Sequence, residues 1–469
     1  MVIARTNKVF TIYLTHHIKN VRSPTINMNM NPSIVRPVTI LILAVFALIQ
    51  CEKSIDDQIL KTNQMQTGAG WLVENDFGFL SGKNIGIITN HTATVGGRHI
   101  ADILHEAGDV NVVALFGPEH GIRGDAPAGA KITFETDDAT GLPVYSLYGD
   151  IHKPTPEMLD GIEVLVFDIQ DVGARFYTYL TTMVMGMEAA AEAGISFMVL
   201  DRPNPLGGEL TDGFMREKEF ESFVGYLPIP VVYGLTVGEL AAMVKGESMV
   251  DGISGLDLHI IEMQNWNRTM TWPDLNVSWN PPSPNIPDFE TALIYPGACF
   301  FEGVSASEGR GTYEPFMQLG APWADGEAIA SDLNARNLPG LRFEKAEFIP
   351  ESISGMATNP VHMGVRVSGI RYVITDRDAV RSVEAGVHVL HAFYHHAPES
   401  ERETFFNPPQ QDRQSRIGGP RKSAIVRLAG TDQLYKMIEN GASADEIIQY
   451  WKDDLEAYNQ LRRNYFIYP

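Results

Sequence analysis

Three times between Val112 and Gly208 an apolar, β-branched run stops abruptly in charged and turn-forming residues. The segments read VVALFGPEHGIRGD (Val112–Asp125), VLVFDIQDVGAR (Val164–Arg175) and FMVLDRPNPLGG (Phe197–Gly208). Short apolar runs bounded by Gly and Pro predict buried parallel strands. NIGIITNHTATVGG (Asn84–Gly97) reads as a further strand and polar loop, and Arg98–Ala107 as an amphipathic helix with Ile100, Ile103 and Leu104 on one side. A helix is predicted over Tyr179–Ala193, and the capping-box spacing of Thr236 and Glu239 starts another. This alternation predicts an α/β fold, a parallel sheet with helices on both faces. Open sheets of that kind bind ligands at the carboxyl ends of their strands. Glu119, His120, Arg123, Asp168, Asp171, Arg175, Asp201, Arg202 and Asn204 follow the three runs and are expected to converge on one crevice.

From Trp266 the texture changes. WNPPSPNIPDFETALIYPG (Trp279–Gly297) is too rich in proline for continuous helix or a central strand. A boundary is placed near Asn276, giving a sheet domain over residues 68–275 and a smaller α+β domain over 276–469. In the second, Val365–Ile374 reads as strand, and Ala321–Arg336, Ser382–His395 and Ser443–Arg463 as helices, the last opened by a Ser443–Glu446 capping box. No fixed-period repeat or low-complexity segment is present.

Hydrophobic residues make up 44% of the 469 and charged ones 20%, the balance of a globular protein with sizeable cores. The net charge is -22, and the 50 N-terminal residues carry five bases and no acid, which leaves 31 basic and 58 acidic residues from Cys51 onward. That surplus repels phosphate backbones, and no basic stripe interleaved with aromatics offsets it, so nucleic acid is excluded as a partner. Val38–Ile49 is apolar, preceded by Arg36 and followed by Cys51. It is too short for a comfortable membrane span and suits a signal peptide. A Cys in that place resembles a bacterial lipoprotein signal, although Gln50 stands where a small residue is usual. The expectation is a signal peptide over residues 1–50, lipidation at Cys51, a tether over 51–67, and an exported periplasmic or outer-membrane/cell-surface lipoprotein that meets the membrane through its lipid. Met28 and Met30 are alternative starts. Cys299 then has no disulfide partner and reads as a buried small hydrophobe. With no CxxC, HExxH or EF-hand loop, neither metal nor cofactor is expected.

In PEHGIRGD (Pro118–Asp125), Glu119 at a strand end suits a general acid, with a Glu119–Arg123 ion pair as the structural alternative. DIQDVGARFYTY (Asp168–Tyr179) offers Asp168 and Asp171, Arg175 to grip a carboxylate, and Tyr177 and Tyr179 to stack on a sugar face. Alternatively Asp171 caps the following helix and pairs with Arg175. Asp201, Arg202 and Asn204 present polar groups to hydroxyls within a turn shaped by Pro203 and Pro205. SEGRGTYEPF (Ser307–Phe316) lacks the Lys-Ser/Thr pair of a phosphate loop and reads instead as a loop swinging Glu308 and Arg310 over the crevice. The side chains of NHT (Asn90–Thr92) are candidates for the crevice lining. No G-x-S-x-G elbow marks a serine nucleophile, and Ser146 has no base beside it in sequence.

Together ITNHTA, LFGPEHGIRGD, TGLPVYSLYG, FDIQDVGARFYTY, LDRPNPLGG, SPNIP and SEGRGTYEPF resemble the exo-β-N-acetylmuramidases of the NamZ (YbbC-like) glycoside hydrolase family, from about Met65 to Tyr468. The resemblance implies a Rossmann-like N-terminal domain, a smaller C-terminal domain, an active site in the cleft between them, and release of terminal N-acetylmuramic acid from peptidoglycan fragments. It places the acid at Glu119, with His120 and Asp168 beside it. Asn90, Arg123, Asp171, Arg175, Tyr177, Asp201, Arg202, Asn204, Glu308 and Arg310 are then expected to bind substrate. Glycoside hydrolysis needs a second carboxyl or help from the substrate's acetamido group, and Asp168, Asp171 and Glu308 are open for that role. Arg123 or Arg175 would suit the lactyl carboxylate. A non-catalytic muropeptide-binding lipoprotein and an amidase or esterase are the competing readings.

Overall fold

The computed structural model describes residues 64–119, 121–124, 134–406 and 423–469. The expected signal peptide, Cys51, most of the tether and His120 lie outside them. Gln64–Pro469 forms one compact unit. Its strands among the described residues are β1 (Asn84–Thr89), β2 (Thr94–Val95), β3 (Arg98–His99), β4 (Asn111–Gly117), β5 (Phe134–Thr136), β6 (Pro143–Ser146), β7 (Val164–Asp168), β8 (Ser196–Leu200), β9 (Leu258–Ile261), β10 (Gln318–Ala321), β11 (Leu341–Phe348) and β12 (Val367–Ile374).

The larger sheet has the order β5-β6-β4-β1-β7-β8-β9, parallel throughout except for β5 against β6. Numbered in sequence, its six parallel strands stand 3-2-1-4-5-6, the order of doubly wound Rossmann folds, and the winding reverses between β1 and β7. The strand sequences fit their positions. β7 is buried over its whole length, and β1 and β8 everywhere but their first residue, because helices cover both faces. The 16-residue helix Thr178–Ala193 ends on Gly194 at φ 68°, a left-handed cap that glycine adopts without steric cost. It lies so close to the sheet that a Cβ on Gly186 would sit 2.6 Å from Ile88 Cδ1.

The smaller lobe is an antiparallel sheet, β10-β12-β11, backed by helices Gly326–Ala335 and Ser382–His396. One hydrophobic core runs through both lobes, from Ile88, Phe167 and Leu180 to Tyr295, Phe301, Val383 and Trp451. The C-terminal helix Lys452–Arg462 returns to the first lobe, where Tyr458 donates to the Tyr233 carbonyl (2.8 Å) and Arg462 to that of Gly208 (2.7 Å).

Three elements depart from the sequence expectation. The segment expected as helix from Ala321 ends strand β10 there, and the helix begins at Gly326 behind Asp325, whose side chain accepts from the Ala328 amide. The helix expected over Ser443–Arg463 is two, Ala444–Tyr450 and Lys452–Arg462, turning at the buried Trp451. Within the proline-rich run, Phe289–Ala298 is helical in spite of Pro296: Asp288 caps it and every residue but Glu290 is buried, so tertiary packing overrides the proline penalty. No helix among the described residues is long and apolar enough to cross a membrane.

Candidate active site

The loops that leave β1, β4 and β7 meet where the winding reverses. Buried Asn90 follows β1, and its Oδ1 accepts from the Thr92 amide (3.0 Å) and hydroxyl (2.5 Å). Thr92 Oγ1 accepts in turn from the Gln170 amide (3.0 Å), joining the loops after β1 and β7. His99 Nδ1 accepts from the Ala101 amide (3.2 Å), so Nε2 carries the proton and donates to the Asn90 carbonyl (2.8 Å). Burial lowers the pKa of His99, in keeping with that neutral form.

Glu119 follows β4 and is half-buried. Thr178, in the first turn of the helix Thr178–Ala193, donates to its Oε2 at 3.4 Å. The rings of Tyr177 and Tyr179 meet edge-on at 4.8 Å, and Tyr179 donates to the Pro282 carbonyl (2.8 Å). Burial raises both phenol pKa values, and the nearby charges of Asp171 and Glu119 push the same way, so both hydroxyls stay protonated. Asn90 lies beside the Tyr179 phenol. The Tyr177 ring packs on Tyr295 of the second lobe at 6.1 Å. The chain between the lobes supplies the remaining wall: the Pro281 carbonyl is 2.8 Å from His91 Nε2, and Asn280 donates to the His91 carbonyl (3.1 Å).

Asp171 is buried behind this group. Its Oδ2 accepts from the Gly173 amide (2.6 Å) and the Tyr233 hydroxyl (2.5 Å), its Oδ1 has no hydrogen-bond partner among the described residues, and burial raises its pKa to about 6. It neither caps the following helix, whose first flanking residue is Tyr177, nor pairs with Arg175.

Several expected ligand groups are spent on the protein itself. Arg175 is 1% exposed and donates to the carbonyls of Phe214, Ile229 (both 2.8 Å) and Leu428 (2.7 Å), so it is a strut in the core and no carboxylate clamp. Arg123 forks onto Asp102 and Asp137 at 2.7–3.1 Å, with no bond to Glu119. Asp168 and Arg202 form a buried two-pronged ion pair, Nη2 to Oδ2 at 3.1 Å and Nε to Oδ1. Asp201 accepts from the Arg202 and Gly238 amides and from the Thr236 and Tyr468 hydroxyls, all within 2.9 Å. Asn204 bonds Leu206 and Leu235 and shapes its own turn. These bonds hold the loops in place.

Glu308 is buried on the second-lobe loop, with burial raising its pKa. Its Oε2 lacks a hydrogen-bond partner among the described residues, while Oε1 is 4.0 Å from Arg310, which pairs with Glu302 at 2.8 Å. Cys299 Sγ bonds Glu302 at 3.5 Å, and burial pushes the thiol up, leaving it the inert hydrophobe expected. Among the described residues no three His, Cys, Asp or Glu side chains gather in a metal-binding arrangement.

Asn90, Glu119, Asp171 and Tyr177 are therefore drawn together. Tyr179 and His91, read from the sequence only as a stacking ring and a lining side chain, join them, and so do Thr178, Asn280 and the Pro281 and Pro282 carbonyls, which the sequence did not single out. The dense prolines after Trp279 were a signal of irregular chain, whose carbonyls are not used up in helix or strand and are left to bond side chains such as His91 and Tyr179.

The architecture is that of a two-lobed α/β protein with a carboxyl-bearing crevice at the switch point of its sheet. The chain belongs to the exo-β-N-acetylmuramidase NamZ family: the model for the family's N-terminal part matches residues 85–290 and that for its C-terminal part residues 293–468. It is 41% identical over 413 residues to the peptidoglycan β-N-acetylmuramidase NamZ of Bacillus subtilis, covering 88% of this chain and 93% of that protein. Two crystal structures of DUF1343 family proteins from Bacteroides fragilis are similar. One has a TM-score of 0.77 at 36% identity, over 87% of this chain and 100% of that one; the other has 0.68 at 35%, over 86% and 99%.

Proposed function

We propose that this protein is an exo-acting glycoside hydrolase that releases terminal N-acetylmuramic acid from peptidoglycan fragments during cell-wall turnover. The observation that carries the assignment is the state of the carboxyls at the crevice. Asp168 and Asp201 are fully buried and bonded to the protein, Asp171 and Glu308 are 3% and 4% exposed, and Glu119 alone among these five is half-open. Glu119 is the group that can reach a glycosidic oxygen and protonate it as the bond breaks. Charge then develops on the sugar, and a second carboxyl or the substrate's own acetamido group meets it. Asp171 and Glu308 each keep one oxygen without a hydrogen-bond partner among the described residues, which suits either to orient that group. The likeness to a relative named as a peptidoglycan β-N-acetylmuramidase supports the substrate class.

Product analysis on a purified disaccharide of N-acetylmuramic acid linked to N-acetylglucosamine tests the proposal. Free N-acetylmuramic acid supports it. Binding without cleavage favours a muropeptide-binding protein, and, on the same disaccharide carrying its stem peptide, release of the peptide with the sugars still joined favours an amidase or esterase. Export is proposed on the same footing: the basic flank, the apolar run Val38–Ile49 and Cys51 support a lipidated product. A palmitate analogue should label the wild type and not Cys51→Ala; equal labelling, or none, overturns the anchor.

A further inference from the structure

Eight large apolar side chains stand exposed among the described residues, and five of them, Tyr313, Ile349, Val361, Met363 and Val365, belong to two adjoining loops of the second lobe. Apolar residues scattered singly over a surface need no explanation, whereas a cluster marks a binding face. Tyr313 is 83% exposed.

The loops are built to hold this face. The Glu351 amide donates to the Gly311 carbonyl and the Gly364 amide to the Pro350 carbonyl, both at 2.8 Å. Gly311, at φ 79°, lies so close to the second loop that a Cβ there would be 2.6 Å from both Glu351 O and Pro360 Cγ. Phe316 and His362 hold left-handed backbone at φ 63° and 59°, a conformation that costs a non-glycine residue about 1–2 kcal/mol and persists where surroundings enforce it.

The face is continuous with the crevice wall. His362 bonds the Ser305 carbonyl at 2.8 Å, just before Glu308. Asn285 donates to the Met356 carbonyl at 2.9 Å, and Asn285 belongs to the inter-lobe segment whose Pro281 and Pro282 carbonyls meet His91 and Tyr179.

We infer that Tyr313 is the platform for the first sugar on the leaving-group side of the scissile bond, an N-acetylhexosamine whose C–H face stacks on the ring. The inference rests on the exo-glycosidase reading. An exo enzyme takes one terminal unit into its crevice, so a face just outside it meets the remainder of the chain. Two adjoining loops that expose apolar side chains and one open aromatic ring suit the flat, uncharged face of a pyranose better than a peptide bearing carboxylates.

The test compares kcat/KM on a muramic-acid-terminated tetrasaccharide without peptide and on an aryl N-acetylmuramide that has no leaving-group sugar. Tyr313→Ala should lower the ratio of the two about tenfold, the loss of one aromatic stacking contact. Tyr313→Phe keeps the ring and should restore most of it. Tyr313 is largely exposed, so neither variant should shift the melting temperature. An unchanged ratio overturns the platform, and so does a ratio that falls only when the substrate carries its peptide, since the occupant is then the peptide. A wild type that cleaves neither substrate overturns the glycosidase reading itself.

Discussion

Asp212 offers a quantitative test of how the two lobes are joined. It lies in the first lobe, 1% exposed, yet its Oδ2 accepts from the Val383 (3.0 Å) and Glu384 (3.2 Å) amides that open the helix Ser382–His396 of the second. That helix starts without a side-chain cap of its own among the described residues, so Asp212 caps it from across the lobe interface. Burial, and after it the charge of Glu384, raise the Asp212 pKa to about 7. In the unfolded chain an aspartate ionises near pH 4, at about 3.9. Between those values the native state holds a proton that the unfolded state has lost, so this group's contribution to stability falls as pH rises through the window and levels off above 7. At about 1.4 kcal/mol per decade, the interval corresponds to about 4 kcal/mol. Asp212→Asn keeps an acceptor oxygen for the helix and does not titrate. Melting the two proteins from pH 4 to pH 8 should show the variant gaining on the wild type by about 4 °C, given about 1 °C per kcal/mol for a unit of about 400 residues. Asp171 and Asp201, each raised to about 6 by burial, are common to both proteins and cancel in the difference. A difference that does not vary with pH would show that Asp212 is not held against its ionisation, and the reasoning would fail.

Two other consequences follow from the same hydrogen bonds. Arg175→Met strands three buried carbonyls and should lower the melting temperature by several degrees, while the folded fraction loses activity by the same factor on muramic and glucosamine glycosides; a KM rise confined to the muramic substrate would return Arg175 to the carboxylate. Tyr468→Phe removes the hydroxyl that joins Asp201 Oδ2 (2.6 Å) and the Met263 amide (2.9 Å), and should cost about 1–3 kcal/mol in denaturant unfolding, with no cost meaning that the C-terminus does not anchor the sheet.

The sheet was legible in the sequence because strands covered on both faces are continuous apolar runs, and β4, β7 and β8 each end in the polar residues expected at the ligand edge. The partners of those polar residues were not legible. Arg123 finds Asp102 and Asp137, 21 and 14 residues away, and Arg175 is satisfied by carbonyls from three separate segments, the farthest 253 residues on. Which charge pairs with which is decided by tertiary approach, to which local pattern is blind. For the same reason the partners of His91 and Tyr179 could not be foreseen: the carbonyls they meet lie 190 and 103 residues downstream. Pro296 misled because burial of nearly a whole helix outweighs one local penalty.

Everything proposed for the crevice turns on Glu119 giving its proton to the leaving oxygen. Glu119→Gln retains volume and an acceptor for Thr178 but has no proton to donate, and its half-open position makes the change mild for folding. General acid catalysis typically contributes about 10²–10⁴-fold, and it matters most for a poor leaving group. The measurement is kcat of wild type and Glu119→Gln on the natural disaccharide and on an activated aryl N-acetylmuramide. The account predicts loss of about two or more orders of magnitude on the disaccharide and a markedly smaller loss on the aryl glycoside, which leaves with little need of protonation. The same loss on both substrates, or none on either, would contradict it and remove Glu119 from the chemistry.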